Sequence, residues 1–290
     1  MHIRADTGSQ NQTAFLHLNE GSTTAVNGML WTVIVLGLVI ESWALPVRVS
    51  SDRYYWLFLS SHLLDTFDMD LLLTELLCSF SFREGDIASS GLWSAITCPG
   101  QSCLWPKSVD GFVYVPYTIS ALYGAITIEV GMEDISAGTC VKFVPRTHQA
   151  NFLDIQPKFG CWSFLGMVGG GQPLSLQSPG CMWSGVASHE LMHALGFVHE
   201  QSRSDRDRYV TILWENIIEG QKHNFKKYET NNLNTIYDYD SVMHYGRYAF
   251  SEDGLPTIIP KPDPNIPIGQ RDGPSPLDIH KINLLYNCCK

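Results

Sequence analysis

The chain is expected to adopt an α+β fold, and three observations carry that expectation. Of its 290 residues, 44% are hydrophobic and 17% charged, the composition of a chain that buries a core. From about Cys98 to Lys290, short strand-like runs are separated by Gly, Pro and Asn: FVYVPYTI, TCVKFVP, NFLDIQ, CWSFLGMVG and QPLSLQ. They alternate with helical stretches free of Pro and Gly, of which Ser188 to Leu195 is the clearest. This portion has the size of one ordinary domain and shows no internal repeat.

Taken in order, residues 1–28 are polar and rich in Ser, Thr, Asn and Gly, an extension that no signal peptide needs upstream. Two readings of it stand: Met29 is the true start, or the extension is real. The apolar run 29–40 falls short of the roughly 20 residues that span a bilayer and ends at Ser42-Trp43-Ala44. Small residues stand where a signal peptidase reads, so 29–44 is expected to be a secretory signal, with a short membrane anchor as the alternative. Asn11 heads the chain's one Asn-x-Thr sequon and lies in the extension. Residues 45–92 read as a pro-segment: WLFLSSHLLDTFDMDLLLTELL has the Leu and Phe spacing of one or two amphipathic helices, and FREGDIASSG follows with a Gly-Asp turn. Residues 93–290 form the expected catalytic domain.

A formal charge of −10 and the lack of a basic run argue against nucleic acid as a partner, since phosphate binding relies on Lys and Arg. Eight cysteines, most of them well apart and without paired CxxC motifs, point to disulfides in an oxidising compartment.

The chemistry concentrates in HELMHALGFVHE, residues 189–200. If 188–195 is helical, His189 and His193 stand one turn apart on one face and can share a metal. Gly196 lets the backbone leave the helix with positive φ and brings His199 round as a third nitrogen ligand. Three neutral imidazoles leave zinc an open position, the mark of a catalytic site. Glu190, beside the first ligand, is placed to act as the general base. The extended HExxHxxGxxH spacing makes a chance match improbable.

At these residues the sequence resembles the metzincins, and in particular the astacin family of zinc proteases. The resemblance covers about two hundred residues, from CPGQSCLWPKS to the end, plus a short upstream motif. It implies two lobes flanking a substrate cleft, a twisted, mostly parallel sheet with an antiparallel edge strand, and long helices, preceded by a short pro-segment. QPLSLQ is the candidate edge. It also implies that Glu200 ties the mature amino terminus, that Met243 in SVMHYGRYAF forms an apolar floor under the metal, and that Tyr245 reaches the metal or the oxyanion. His244 between them is read as structural, because a fourth imidazole would close the site. The alternating Arg and Asp of SRSDRDRYV suggest a charge network that orients the loop. In EGDI, Asp86 resembles the carboxylate that blocks the metal in the zymogen, although Phe82 lies one residue farther from Gly85 than expected. The cysteines resemble family pairs: Cys161–Cys181, Cys140 with Cys288 or Cys289, and an additional Cys98–Cys103. Loss of Cys78 with the pro-segment leaves an odd number. One stretch departs from the family, since ISALYGAITIEVGMEDISAG between Tyr117 and Cys140 is shorter than the first long helix and holds Gly124 and Gly131.

The resemblance thus implies a secreted, extracellular zinc endopeptidase with one Zn2+ per chain. It is expected to be monomeric, to act on protein or peptide substrates without nucleic acid, and to need an activating protease. No further module is expected after the last cysteines. The extra cysteine pair is similar to hatching enzymes, which digest egg-envelope glycoproteins; a tissue or digestive protease of the same family is the alternative. An inactive zinc-binding relative in adhesion or inhibition is the reading from another class, and the presence of Glu190 argues against it.

Overall fold

The computed structural model describes residues 42–50, 53–60, 81–89 and 103–288. The chain divides into two compact units, Met1–Ser79 and Phe80–Lys290. The extension 1–28 with Asn11, the apolar run 29–40, and Cys78, Cys98 and Cys289 lie outside the described residues.

In the first unit, β1 (Ser42–Ser50) and β2 (Arg53–Ser60) form an antiparallel hairpin that pairs Ser42 with Ser60 and Ser50 with Arg53. This corrects the helical expectation for its first residues, 56–60. RYYWLFLS is aromatic, and aromatic side chains favour the pleated surface of a strand. Residues 61–80 lie outside the description.

The second unit is built on a seven-stranded sheet: β3 (Ser81–Arg83), β4 (Ile87–Ser89), β5 (Val113–Ile119), β6 (Val141–Pro145), β7 (Phe152–Gln156), β8 (Cys161–Phe164) and β9 (Gly171–Leu176). Their order is β3-β4-β8-β9-β7-β5-β6. Pairs β5/β6, β5/β7, β7/β9 and β4/β8 are parallel, while β3/β4 and β8/β9 are antiparallel. Val113, Val115, Val141, Leu153, Ile155 and Leu174 are wholly buried, as strands covered on both faces require. QPLSLQ is β9 and lies inside the sheet, so it is not the edge. Gln172 and Ser175, which make the run look half-solvated, are buried and bonded to the carbonyls of Gly166 (2.9 Å) and Gly160 (2.8 Å). Next to it, β8 carries β4 on its other side.

Helix α1 (Ile126–Ser136) is intact despite Gly131, with Gly124 lying ahead of it, and packs on α2 (Ser184–Ala194). Gly131 is the reason they approach so closely. A Cβ there would stand 2.8 Å from the Ser184 carbonyl oxygen and 2.9 Å from Ala187 Cβ, and the Ser188 hydroxyl donates to the Gly131 carbonyl at 3.1 Å. Gly131→Ala is therefore expected to cost about 1–2 kcal/mol, overpacking outweighing the roughly 1 kcal/mol gained in helix propensity. Urea unfolding checks this; an unchanged or higher midpoint would show that the helices can part freely.

Beyond α2 the chain is mostly irregular, with the small pair β10 (Val210–Ile212) and β11 (Ile258–Pro260) and a second apolar cluster around Phe225, Tyr237 and Ile258. Helix α3 (Pro276–Leu285) closes the unit and starts with a capping box between Ser275 and Asp278 and Pro at its first turn. Disulfides join Cys140 to Cys288 and Cys161 to Cys181, tying α3 to the sheet and β8 to the approach of α2. Cys103 is also disulfide-bonded. Among the described residues no helix is long and apolar enough to cross a membrane.

Candidate metal centre

Helix α2 carries His189, Glu190 and His193, all buried. Its last carbonyls are satisfied from outside: Trp105 Nε1 donates to the Ala194 carbonyl (2.9 Å) and the Tyr286 hydroxyl to that of Leu195 (3.0 Å). Gly196 then turns the chain with φ +106°, a conformation open to glycine at little cost. His199 follows in extended backbone, ahead of a 3-10 turn over Glu200–Ser202. The three rings meet, with centroids 4.7 Å (His189/His193), 5.1 Å (His189/His199) and 4.7 Å (His193/His199) apart.

Each Nδ1 is engaged away from that meeting point. His189 Nδ1 donates to the Val242 carbonyl (2.8 Å), His193 Nδ1 to the Phe197 carbonyl (2.7 Å) and His199 Nδ1 to Glu84 Oε2 (2.5 Å). These acceptors fix the tautomer, so all three Nε2 lone pairs point inward. Opposite them sits Asp86, with Oδ2 3.2 Å from Nε2 of His189 and of His199 and Oδ1 3.5 Å from Nε2 of His193. The four ligand atoms lie within 4.8 Å of one another.

Lone pairs facing carboxylate oxygens at these distances repel unless a cation lies between them. Among the described residues, the buried Nε2 of His193 and of His199 and Oδ1 of Asp86 have no hydrogen-bond partner. A tetrahedral zinc with bonds near 2.0–2.1 Å would separate its ligand atoms by about 3.3 Å. The donor set fits that ion.

Asp86 arrives on the β3/β4 hairpin, whose loop places Glu84 at φ +52° and Gly85 at φ +81°. Phe82 stacks edge-on against Trp162 with centroids 5.7 Å apart. Strand β4 lies parallel to β8, pairing Ile87 with Ser163, and the Ser163 amide donates to the Asp86 carbonyl at 3.0 Å.

A family model for the astacin peptidases matches residues 102–287. The chain belongs to the astacin family. High choriolytic enzyme 1 of Oryzias latipes is 52% identical over 209 residues, 71% of this chain and 77% of the relative. Low choriolytic enzyme of the same fish is 48% identical over 210 residues, 71% and 78%. The solved structure of High choriolytic enzyme 1, a hatching enzyme zinc-protease from medaka, matches with a TM-score of 0.65 at 53% identity, covering 67% of this chain and 98% of that one. This astacin chain is thus a metalloendopeptidase that acts on proteins and uses zinc.

The other singled-out residues surround the astacin centre. Met243 is buried in the main core, and its carbonyl accepts from the Glu200 amide at 3.0 Å. The Tyr245 ring lies 4.5 Å from that of His199, and its hydroxyl donates to the Glu84 carbonyl. Burial, with the charges of Asp86 and Glu84, pushes that hydroxyl well above the usual tyrosine range, so it remains a donor. His244 stands apart from the three ligands. Its Nδ1 donates to the Tyr245 carbonyl, its Nε2 accepts from the Tyr237 hydroxyl, both at 2.7 Å, and burial pushes it down to about 4. It is a neutral, structural imidazole.

Glu200 is buried; Oε1 accepts from Arg203 Nη1 (3.1 Å) and the Asp238 amide (2.8 Å), and Oε2 from Lys281 Nζ (2.7 Å). The Arg/Asp run does form a network. Arg203 forks onto Asp205 (2.9 and 3.0 Å), and buried Arg206 donates to the carbonyls of Gln201 (2.7 Å) and Phe225 (2.9 Å).

Three groups carried no sequence signal of their own. Glu84 is 1% exposed and clamps His199 through both its amide (3.1 Å) and its ring; its place beside the Gly-Asp turn was the one available hint. Gln201 Oε1 receives the Tyr245 amide at 2.9 Å. Arg271 donates to the carbonyls of His244 (3.0 Å) and Gln270 (2.7 Å).

Proposed function

We propose that this chain is the zymogen of a secreted, hatching-type endopeptidase that digests egg-envelope glycoproteins once the pro-segment, residues 45–92, is removed. The convergence of three Nε2 lone pairs on one point opposite Asp86 is the observation that carries the chemical part. His189, His193 and His199 would hold the zinc, which supplies Lewis acidity to the scissile carbonyl and to the attacking water.

Glu190 takes a proton from that water as its oxygen attacks the carbonyl carbon, then delivers it to the amide nitrogen as the C–N bond breaks. One water is consumed and two peptides leave. The Tyr245 hydroxyl, freed from the Glu84 carbonyl, donates to the carbonyl oxygen as negative charge builds there. Met243 and the Glu200 network keep the loop beneath these groups rigid. In the precursor, β4 occupies the side of β8 along which an extended peptide would pair, and Asp86 would hold the metal beside the three histidines in place of a water. The 52% and 53% identities to a choriolytic enzyme support the envelope as substrate.

The test is digestion of denatured casein and of isolated egg envelopes by the processed protein. Hydrolysis of both is expected. Inert casein would overturn the endopeptidase mechanism, whereas cleaved casein beside an intact envelope would overturn the hatching role alone.

A further inference from the structure

The first turn of α3 contributes no atom to the metal centre, yet it is bonded to the segment beneath it. Asp278 is 1% exposed. Its Oδ1 accepts from the Ser241 hydroxyl at 2.6 Å, and its Oδ2 accepts from the amides of Val242 (2.9 Å) and Ser275 (3.0 Å). The capping box explains the bond to Ser275 alone. The other two leave the helix and hold the turn 241–243.

That turn is where His189 is fixed. The Val242 peptide donates its N–H to Asp278, and the Val242 carbonyl accepts His189 Nδ1–H at 2.8 Å. The Ser241 hydroxyl, while donating to Asp278, accepts the Met243 amide at 3.0 Å, and the Met243 carbonyl takes the Glu200 amide next to His199. A buried carboxylate that receives three donors is costly to empty, because each donor left behind would be buried and unpaired.

We infer that Asp278 is a positioning residue for the zinc ligand His189, holding the Val242 carbonyl where it fixes the imidazole with its lone pair on Nε2. The inference rests on His189 being a ligand. Groups that orient metal-bound histidines are worth about 10–100-fold in metal affinity. Asp278 acts one bond farther out, so the lower end is expected.

The full chain serves for the test, with zinc affinity measured by competition against a chromophoric chelator and the ligand field read from the cobalt-substituted protein. Asp278→Asn, whose amide cannot accept both turn donors, should weaken zinc binding about tenfold and shift the cobalt absorption bands. Ser275→Ala removes the helix cap but leaves the bonds from Asp278 to the turn. It should lower the Tm while zinc affinity stays within about twofold, well below that tenfold. Should Asp278→Asn fail to fold, Ser241→Ala cuts the same link from the other side and should weaken zinc in the same direction. Unchanged affinity and bands in Asp278→Asn, or an equal loss in Ser275→Ala, would overturn the positioning role. Failure of the wild-type chain to bind zinc would instead overturn the ligand assignment on which it rests.

Discussion

Glu190→Gln is expected to keep one zinc per chain and to lower kcat on the order of 10²–10⁴-fold, the usual contribution of a positioned general base. Glutamine keeps the volume and one oxygen of the side chain but cannot take a proton. The four groups that face one another across the candidate metal site do not include Glu190, so metal content should not follow activity. The side chain is 1% exposed, and its buried Oε2 has no hydrogen-bond partner among the described residues, so that oxygen can accept from a water. Burial pushes the carboxyl well above the usual carboxylate range, with Asp86 adding to the shift and Arg271 opposing it. Because the proton transfer belongs to the transition state, kcat and kcat/KM should fall together while KM stays close to its original value. Metal analysis and steady-state hydrolysis by the processed protein give both readouts. Full turnover in the variant would remove Glu190 from the mechanism; loss of zinc would make it a structural support of the site.

The zinc helix was legible because its information is local. A four-residue step from His189 to His193, a glycine at 196 that reverses the chain and a three-residue step on to His199 set the ring positions through backbone geometry alone. The five strand-like runs from 112 to 177 were legible for the same reason, each being a short apolar run between Gly, Pro or Asn. What a run cannot show is its neighbour. QPLSLQ has the polar residues of an edge, yet it is interior because Gln172 and Ser175 find carbonyl partners in loops that no periodicity locates. RYYWLFLS adjoins a Leu-rich stretch with helical spacing, and cross-strand pairing with β1 decides it otherwise. Glu84 lies 115 residues from His199 and Asp278 lies 36 from Val242. Contacts of that separation depend on the closed fold, and a lone Glu or Asp carries no mark of them. The buried pair of Glu200 and Lys281 belongs to the same class: the motif singles out the carboxylate, but only the docking of α3 supplies its cation.

Asp86→Ala in the unprocessed chain is expected to raise basal peptidase activity at least about tenfold while leaving it below that of the processed protein. The rise follows from removal of the carboxylate that stands 3.2–3.5 Å from the three Nε2 atoms and that, as a hard oxygen ligand, would compete with water for a zinc held there. The ceiling follows from what the substitution leaves in place. Strand β4 still pairs with β8, Phe82 still packs on Trp162, and Glu84 still holds both His199 and Tyr245. A substrate must displace those contacts before it can lie along β8. Glu84→Gln should then produce a smaller rise by itself, because it weakens the clamp on His199 without emptying the open position. The double variant should exceed either one, since a released loop and a vacated position act on the same competition. Initial rates on a short fluorogenic peptide, with gel analysis showing the chain uncleaved throughout, separate these effects from maturation. A silent Asp86→Ala precursor would show that strand pairing alone keeps the enzyme off, and that the carboxylate beside the histidines is a passenger of the turn that carries it.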